Sequence, residues 1–282
     1  MQNLNAVLAR LSISQFNNTR DDDTITAEVK TLHQLTGRAG RWVKLKLPAE
    51  ALEGVRRQAA HARQEHYRLT LPWEEGYRLL TLPARAAYQE RHDRLAAEFQ
   101  DQVERFIQLY PEHILAARGM HNGTFNAADY PPAEEARRMF AYRVEYTPVP
   151  QAGHFVSTVA GPALDHMQTQ LAAANERRVE EAVRDCWQRL LAPVRALATK
   201  LTDPEAIFRD SLVSNVGDIL ELVPSLNLLN DATLTTAAGE IKAALASLQA
   251  EDLRTSRVIR RTAAEAAGAI VRKFGALGVR KF

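Results

Sequence analysis

Between Gly161 and Leu201, apolar residues recur at Leu164, Met167, Leu171, Val179, Val183, Trp187, Leu190, Val194, Leu197 and Leu201. The steps are nearly all three or four, which keeps these side chains on one face of an α-helix. About 40 residues in that conformation span roughly 60 Å at ~1.5 Å per residue. So long an element is expected to act as a spine against which shorter helices pack. Two features interrupt it. The stripe thins over Ala172, Ala173 and Ala174 and the polar run Asn175-Glu176-Arg177-Arg178. Pro193 lacks a backbone donor and its ring crowds the Arg189 carbonyl, so a kink or break is expected there.

Upstream of the spine the periods are mixed. Leu11 and Ile13 alternate with Ser12 and Ser14 up to Phe16, the pattern of a half-buried strand. Asp21, Asp22 and Asp23 precede a helical pattern (Ile25, Val29, Leu32) and read as its cap; a calcium loop would need alternating ligands, a central Gly and a distal Glu. Gly37 and Gly40 end that helix, and Trp42, Leu45 and Leu47 alternate with Lys44 and Lys46 as a second strand. Pro48 opens a helix through Leu52, Val55, Ala59 and Ala62. Trp73-Glu74-Glu75-Gly76-Tyr77 reads as the turn of a short hairpin. Pro83 opens a helix carrying Tyr88, His92, Leu95, Phe99, Val103, Phe106 and Tyr110, which Pro111 stops. A short helix to Gly119, an irregular stretch to Pro132, a helix over Glu134–Phe140 and a strand at Tyr142, Val144 and Tyr146 follow. Residues 148–161 form a loop into the spine. Beyond the spine, Asp203-Pro204 and Asp231 open further helices, and the last helix carries Ile259, Ala263, Ala266, Ile270 and Phe274 on one face.

The reading is therefore a mainly α fold: a helical bundle around one long helix, with a small α+β N-terminal part containing a few short strands. The division is 1–160 for the α+β part and 161–282 for the bundle with its basic C-terminal helix and tail. Hydrophobic content of 46% gives 282 residues a sizeable core, so disulfides are not needed. The one cysteine, Cys186, reads as a buried inert thiol on the spine, and a reducing, cytoplasmic setting fits. No apolar run approaches the ~18 residues of a membrane span.

Gly37 and Gly40 are not followed by the Lys and hydroxyl of a phosphate loop. No Cys or His spacing suits a metal, and no cofactor motif occurs. His61 and His66 read as surface histidines, His92 as a packed core histidine, and His154 as a structural hydrogen-bonder in a loop. Glu74 and Glu75 read as a solvated turn. No nucleophile, base and orienter can be assembled.

Charge supplies the functional signal. From Leu253 onward the chain carries Arg254, Arg257, Arg260, Arg261, Arg272, Lys273, Arg280 and Lys281 against one acid, Glu265, within a chain of net charge +2. Arg254, Arg257 and Arg261 stand three and four apart, so one helical face would bring them together. With Arg272, Lys273, Arg280 and Lys281 they form the candidate binding site. Three readings stand: phosphates of a nucleic acid, an acidic protein partner, or acids of the same chain.

Four local patterns carry a resemblance. They are Leu11-Ser12-Ile13-Ser14 leading into Asp21–Asp23; Thr70-Leu71-Pro72-Trp73 with Gly76 and Arg78-Leu79-Leu80; Thr124-Phe125-Asn126-Ala127-Ala128-Asp129-Tyr130-Pro131 followed by Phe140 and Val144-Glu145-Tyr146-Thr147-Pro148; and Phe208-Arg209-Asp210-Ser211-Leu212 leading to Leu226-Asn227-Leu228. Together they are similar to a group of tailed-bacteriophage and prophage proteins of no assigned activity. Some of these are encoded beside a ring-forming ATPase and a partner with a metal-dependent adhesion fold. The resemblance implies a phage protein made in the bacterial host cytoplasm, with an adaptor role. The expected function is thus a non-enzymatic binding or adaptor protein acting through helical surfaces on a protein partner or as a homo-oligomer. The alternative is a nucleic-acid-binding protein using the basic C-terminal helix.

Overall fold

The structure, a computed structural model, describes residues 4–151, 162–203, 206–207 and 209–277. The protein is mainly α: ten α-helices and six strands among the described residues, built around one long helix. Contacts divide it into two units. The first comprises Met1–Arg10, His66–Gln89 and Glu145–Phe282, the second Leu11–Glu65 and Glu90–Val144. The sequence boundary at 160/161 lies outside the described residues, as do the loop histidine His154 and the tail with Arg280 and Lys281.

A sheet of order β4-β5-β1-β6 is built from β1 (Ala6–Ser14), β4 (Leu71–Glu74), β5 (Tyr77–Thr81) and β6 (Ala141–Pro148), of which β4, β5, residues 6–10 of β1 and residues 145–148 of β6 belong to the first unit. The expected hairpin joins β4 to β5, and Gly76 takes a φ of +80° at its turn, a conformation that costs glycine least. β5 also pairs antiparallel with β1, Ala6 opposite Thr81 and Ala9 opposite Arg78. The helices wholly in that unit are α6 (Pro162–Thr202), α7 (Ser211–Leu226), α8 (Ala232–Leu245), α9 (Ala250–Thr255) and α10 (Arg257–Phe274). α6 packs on α10, α7 and β4. Its side chains Trp187, Leu190, Leu191, Val194 and Leu197 are buried in one core with Val216 and Leu226 of α7, Ile241 of α8, and Ala267 and Phe274 of α10.

The spine differs from its sequence reading in three ways. α6 runs through Pro193 without a break. One lost donor is tolerated because Leu190, Leu191, Val194 and Leu197 around it are fully buried and hold the turn in place. The N-terminal third of the stripe is not core, since Met167 is exposed. Where the stripe thins, Asn175 is buried and its amide donates to the Pro150 carbonyl at 2.6 Å.

The second unit holds α1 (Asp23–Leu32), α4 (Tyr110–His121), α5 (Ala133–Arg138), most of α2 (Glu53–Leu69) and of α3 (Arg85–Gln108), and the ribbon of β2 (Thr19–Asp21) with β3 (Val43–Leu45). Its own core joins Leu52, in the turn before α2, and Val55 and Ala59 of α2 to Phe99, Val103 and Phe106 of α3, with Phe16 and Leu47. Asp22 caps α1 as expected, accepting from the Ile25 amide at 3.0 Å. Pro111 does not end a helix. It sits in the first turn of α4, where its missing donor is not needed.

Truncating the fully buried Trp187 to Ala is expected to cost about 3–5 kcal/mol. Thermal unfolding followed by circular dichroism checks this, and an unchanged midpoint would mean that α6 does not pack on that face.

Candidate functional site

The basic segment is not one helix. α9 ends at Thr255, and Ser256 adopts an extended conformation and caps α10, accepting from the Ile259 amide at 3.3 Å. Arg254 therefore lies on α9, while Arg257, Arg261, Arg272 and Lys273 lie on α10. The single arginine face expected from the three- and four-residue steps does not form, because a serine competing for its own backbone amides starts a new helix.

Most of these cations are used within the first unit. Arg254 reaches Asp210 at 2.5 Å and Glu251 at 3.6 Å, and the Asp210 hydrogen bond raises its pKa. The three side chains border a cleft of about 470 Å³ with Val213, Ser214 and Leu248. Lys273 pairs with Glu240 at 2.6 Å and lies over the Phe274 ring. Arg261 approaches Glu265 at 3.9 Å. Arg260 donates to the carbonyls of Lys200, Asp203 and Ala206, closing the C-terminal end of α6. Arg257 and Arg272 are exposed.

The apolar face of α10 is displaced from its sequence reading. Ala263, Ala267, Ile270 and Phe274 are buried, but Ile259 is 39% exposed and its neighbour Val258 66%. The first turn of α10 thus presents Arg257, Val258, Ile259 and Arg261 to solvent. Periodicity alone could not find this, since Ile259 fits the stripe and only the packing leaves it uncovered.

Other sequence candidates resolve as structural groups. Glu74 is not a free turn residue; it pairs with Arg178 at 2.6 Å. His66 is buried rather than on the surface, with Nδ1 2.7 Å from the Tyr88 hydroxyl. Five residues beyond His61, it stands on a different face of α2. His92 is packed as expected, its Nδ1 2.5 Å from the Tyr142 hydroxyl. Burial holds its pKa down to about 4 and pushes that of Tyr142 up. Cys186 is buried, and burial pushes its thiol up to about 12.

One cluster went unread in the sequence. In the second unit Asp129, its side chain 1% exposed, is held by Arg20 and by Lys44 at 3.2 Å; Lys44 also lies 3.5 Å from Asp22. Spacing could not show this pair, since Asp129 stands far along the chain from Lys44. No three His, Cys, Asp or Glu side chains among the described residues converge to hold a metal ion. No helix there is long and apolar enough to cross a membrane.

Fold and site together define a mainly α protein whose candidate site is a helix surface edged by arginines. No family model, curated protein or solved structure matches the chain.

Two measurements check the buried groups. Cys186 should react slowly with a thiol reagent in the native state and fast once unfolded; rapid native labelling at neutral pH would contradict its burial. His92 is neutral in the fold with a depressed pKa, whereas the unfolded chain binds its proton near ~6.5. Its contribution is complete above that value and is lost as pH falls towards about 4. Denaturant midpoints should therefore drop between those pH values, with a slope of at most about 1.4 kcal/mol per unit. The drop should shrink in His92→Phe.

Proposed function

We propose that the protein is a non-enzymatic binding or adaptor protein that offers a helical surface to a protein partner. The observation that carries this reading is the first turn of α10, where Val258 and Ile259 are exposed between exposed Arg257 and Arg261. A phosphate backbone draws its affinity mainly from cations. Aliphatic side chains gain only when another apolar surface removes them from water, at about 25 cal/mol per Å². An apolar centre with arginine at its edge is the composition of a protein interface. Two of the cations that the nucleic-acid alternative would use, Arg254 and Lys273, already hold Asp210 and Glu240. The phage resemblance supplies a setting for the adaptor role, a bacterial host cell.

A photo-crosslinking residue at position 258, introduced into the chain in bacterial cells, tests the reading. It should yield a discrete protein adduct, lost in the background of Ile259→Ser and Arg261→Gln. Labelled DNA and RNA titrated at two salt concentrations should not bind with a steep salt dependence. Tight, salt-sensitive nucleic-acid binding that flattens in Arg257→Gln/Arg261→Gln would overturn the proposal.

A further inference from the structure

Two features of the first unit are close neighbours in the chain and have opposite character. One is the cleft of about 470 Å³ between the start of α7 and the turn from α8 into α9. Val213, Leu245 and Leu248 give it an apolar lining, and its acids are Asp210 and Glu251, with side chains 80% and 74% exposed. The other is the first turn of α10, where Arg257, Val258 and Arg261 share one helical face. Arg254 lines the cleft and Arg257 opens α10, with the extended Ser256 between them.

Gly217 lines the cleft too, in the interior of α7. Glycine disfavours a helix interior. A Cβ at this position would meet nothing within 4 Å, so no contact of the chain itself calls for a glycine. Its missing side chain keeps one wall of the cleft low.

The charges of the two features are complementary. In the cleft two acids share one base, Arg254, which leaves one negative charge in excess. The exposed residues Arg209 and Asp252 beside it cancel. On α10, Arg257 and Arg261 outnumber by one the acid Glu265, which stands 3.9 Å from Arg261. Lys200 and Asp203, whose carbonyls Arg260 holds, cancel as well. An apolar cleft with an acidic rim therefore fits an aliphatic projection with a basic edge. The chain does not fill the cleft with its own projection, since Val258 is 66% exposed and is not part of the lining. A two-fold axis near Ser256 brings each projection to the other copy's cleft, so that every contact is made twice. We propose that the first turn of α10 docks into the α7–α9 cleft of a second copy of this chain, with Arg257 meeting Asp210 and Glu251 of that copy and Val258 meeting its apolar lining. This rests on the reading of α10 as a protein interface and names the partner.

Sedimentation velocity on the full chain tests it. Wild type should dimerise as its concentration is raised towards the millimolar range. Glu251→Lys makes cleft and projection both positive, and Arg257→Glu makes both negative. Each should weaken the dimer by at least about tenfold, because like charges then face each other. An equimolar mixture of the two variants should restore it as a heterodimer. Gly217→Leu should give a monomer whose thermal midpoint is no lower than that of wild type, since the added side chain starts in open space and narrows the cleft. A monomeric wild type, a mixture that recovers no dimer, or an undiminished dimer in Gly217→Leu would each overturn the proposal. The photo-crosslinker at position 258 separates this failure from that of the underlying reading. In the purified chain it should join two copies through residues 213–217 or 245–251. A discrete adduct with another protein in cells, without an adduct of the purified chain, would overturn the second copy and leave the interface standing. No adduct in either setting would overturn both.

Discussion

Trp187 stacks against Phe274 with ring centroids 6.3 Å apart, and at the other end of the same pair Arg260 holds the last carbonyls of α6. These contacts make α6 and α10 antiparallel. Arg195 of α6 returns the favour in kind by donating to the Gly275 carbonyl beyond α10 at 3.1 Å. Each helix thus closes the other's C-terminus, where unpaired carbonyls and the helix dipole both favour a cation. The aromatic stack fixes one end of the pair and the arginines fix its register, and α7, α8 and β4 complete the core around α6.

That arrangement decides which cations are available at the surface. Arg260 is committed to α6, Lys273 to Glu240 and Arg254 to Asp210. Partners this exposed contribute modestly to stability, because solvent screens them. Their larger effect is to reduce the positive field that a nucleic acid would need. What the pair leaves outward is the first turn of α10, where Val258 and Ile259 lie between Arg257 and Arg261. The surface proposed for partner binding is thus a by-product of how the two helices close each other's ends.

In the second unit the organising contact is ionic. Asp129 is almost wholly removed from water and is compensated by Arg20 and Lys44. Lys44, its side chain 10% exposed, is the buried partner whose loss would be costly, whereas Arg20, 51% exposed, is screened by solvent and contributes less. Such an anchor sets direction as well as stability: Lys44 faces inward, so its strand neighbours face out. The exposure of Val43 and Leu45 follows from that alternation.

Much of this was legible in the residues because it depends on neighbours within a turn. The spine from its three- and four-residue steps, the Asp22 and Asp231 caps, the Gly76 hairpin and the buried Cys186 all rest on local geometry or on a stripe continuous in sequence. The split at Ser256 was not legible, since serine suits a helix surface and a cap equally until packing chooses. Nor was the inward turn of His66, the persistence of α6 through Pro193, or the partners of Arg254 and Lys273, which stand 44 and 33 residues away. Periodicity and capping act over three or four residues and so are written into the chain. Which charges meet, and which apolar groups stay uncovered, depends on residues that only the folded chain brings within a few ångströms.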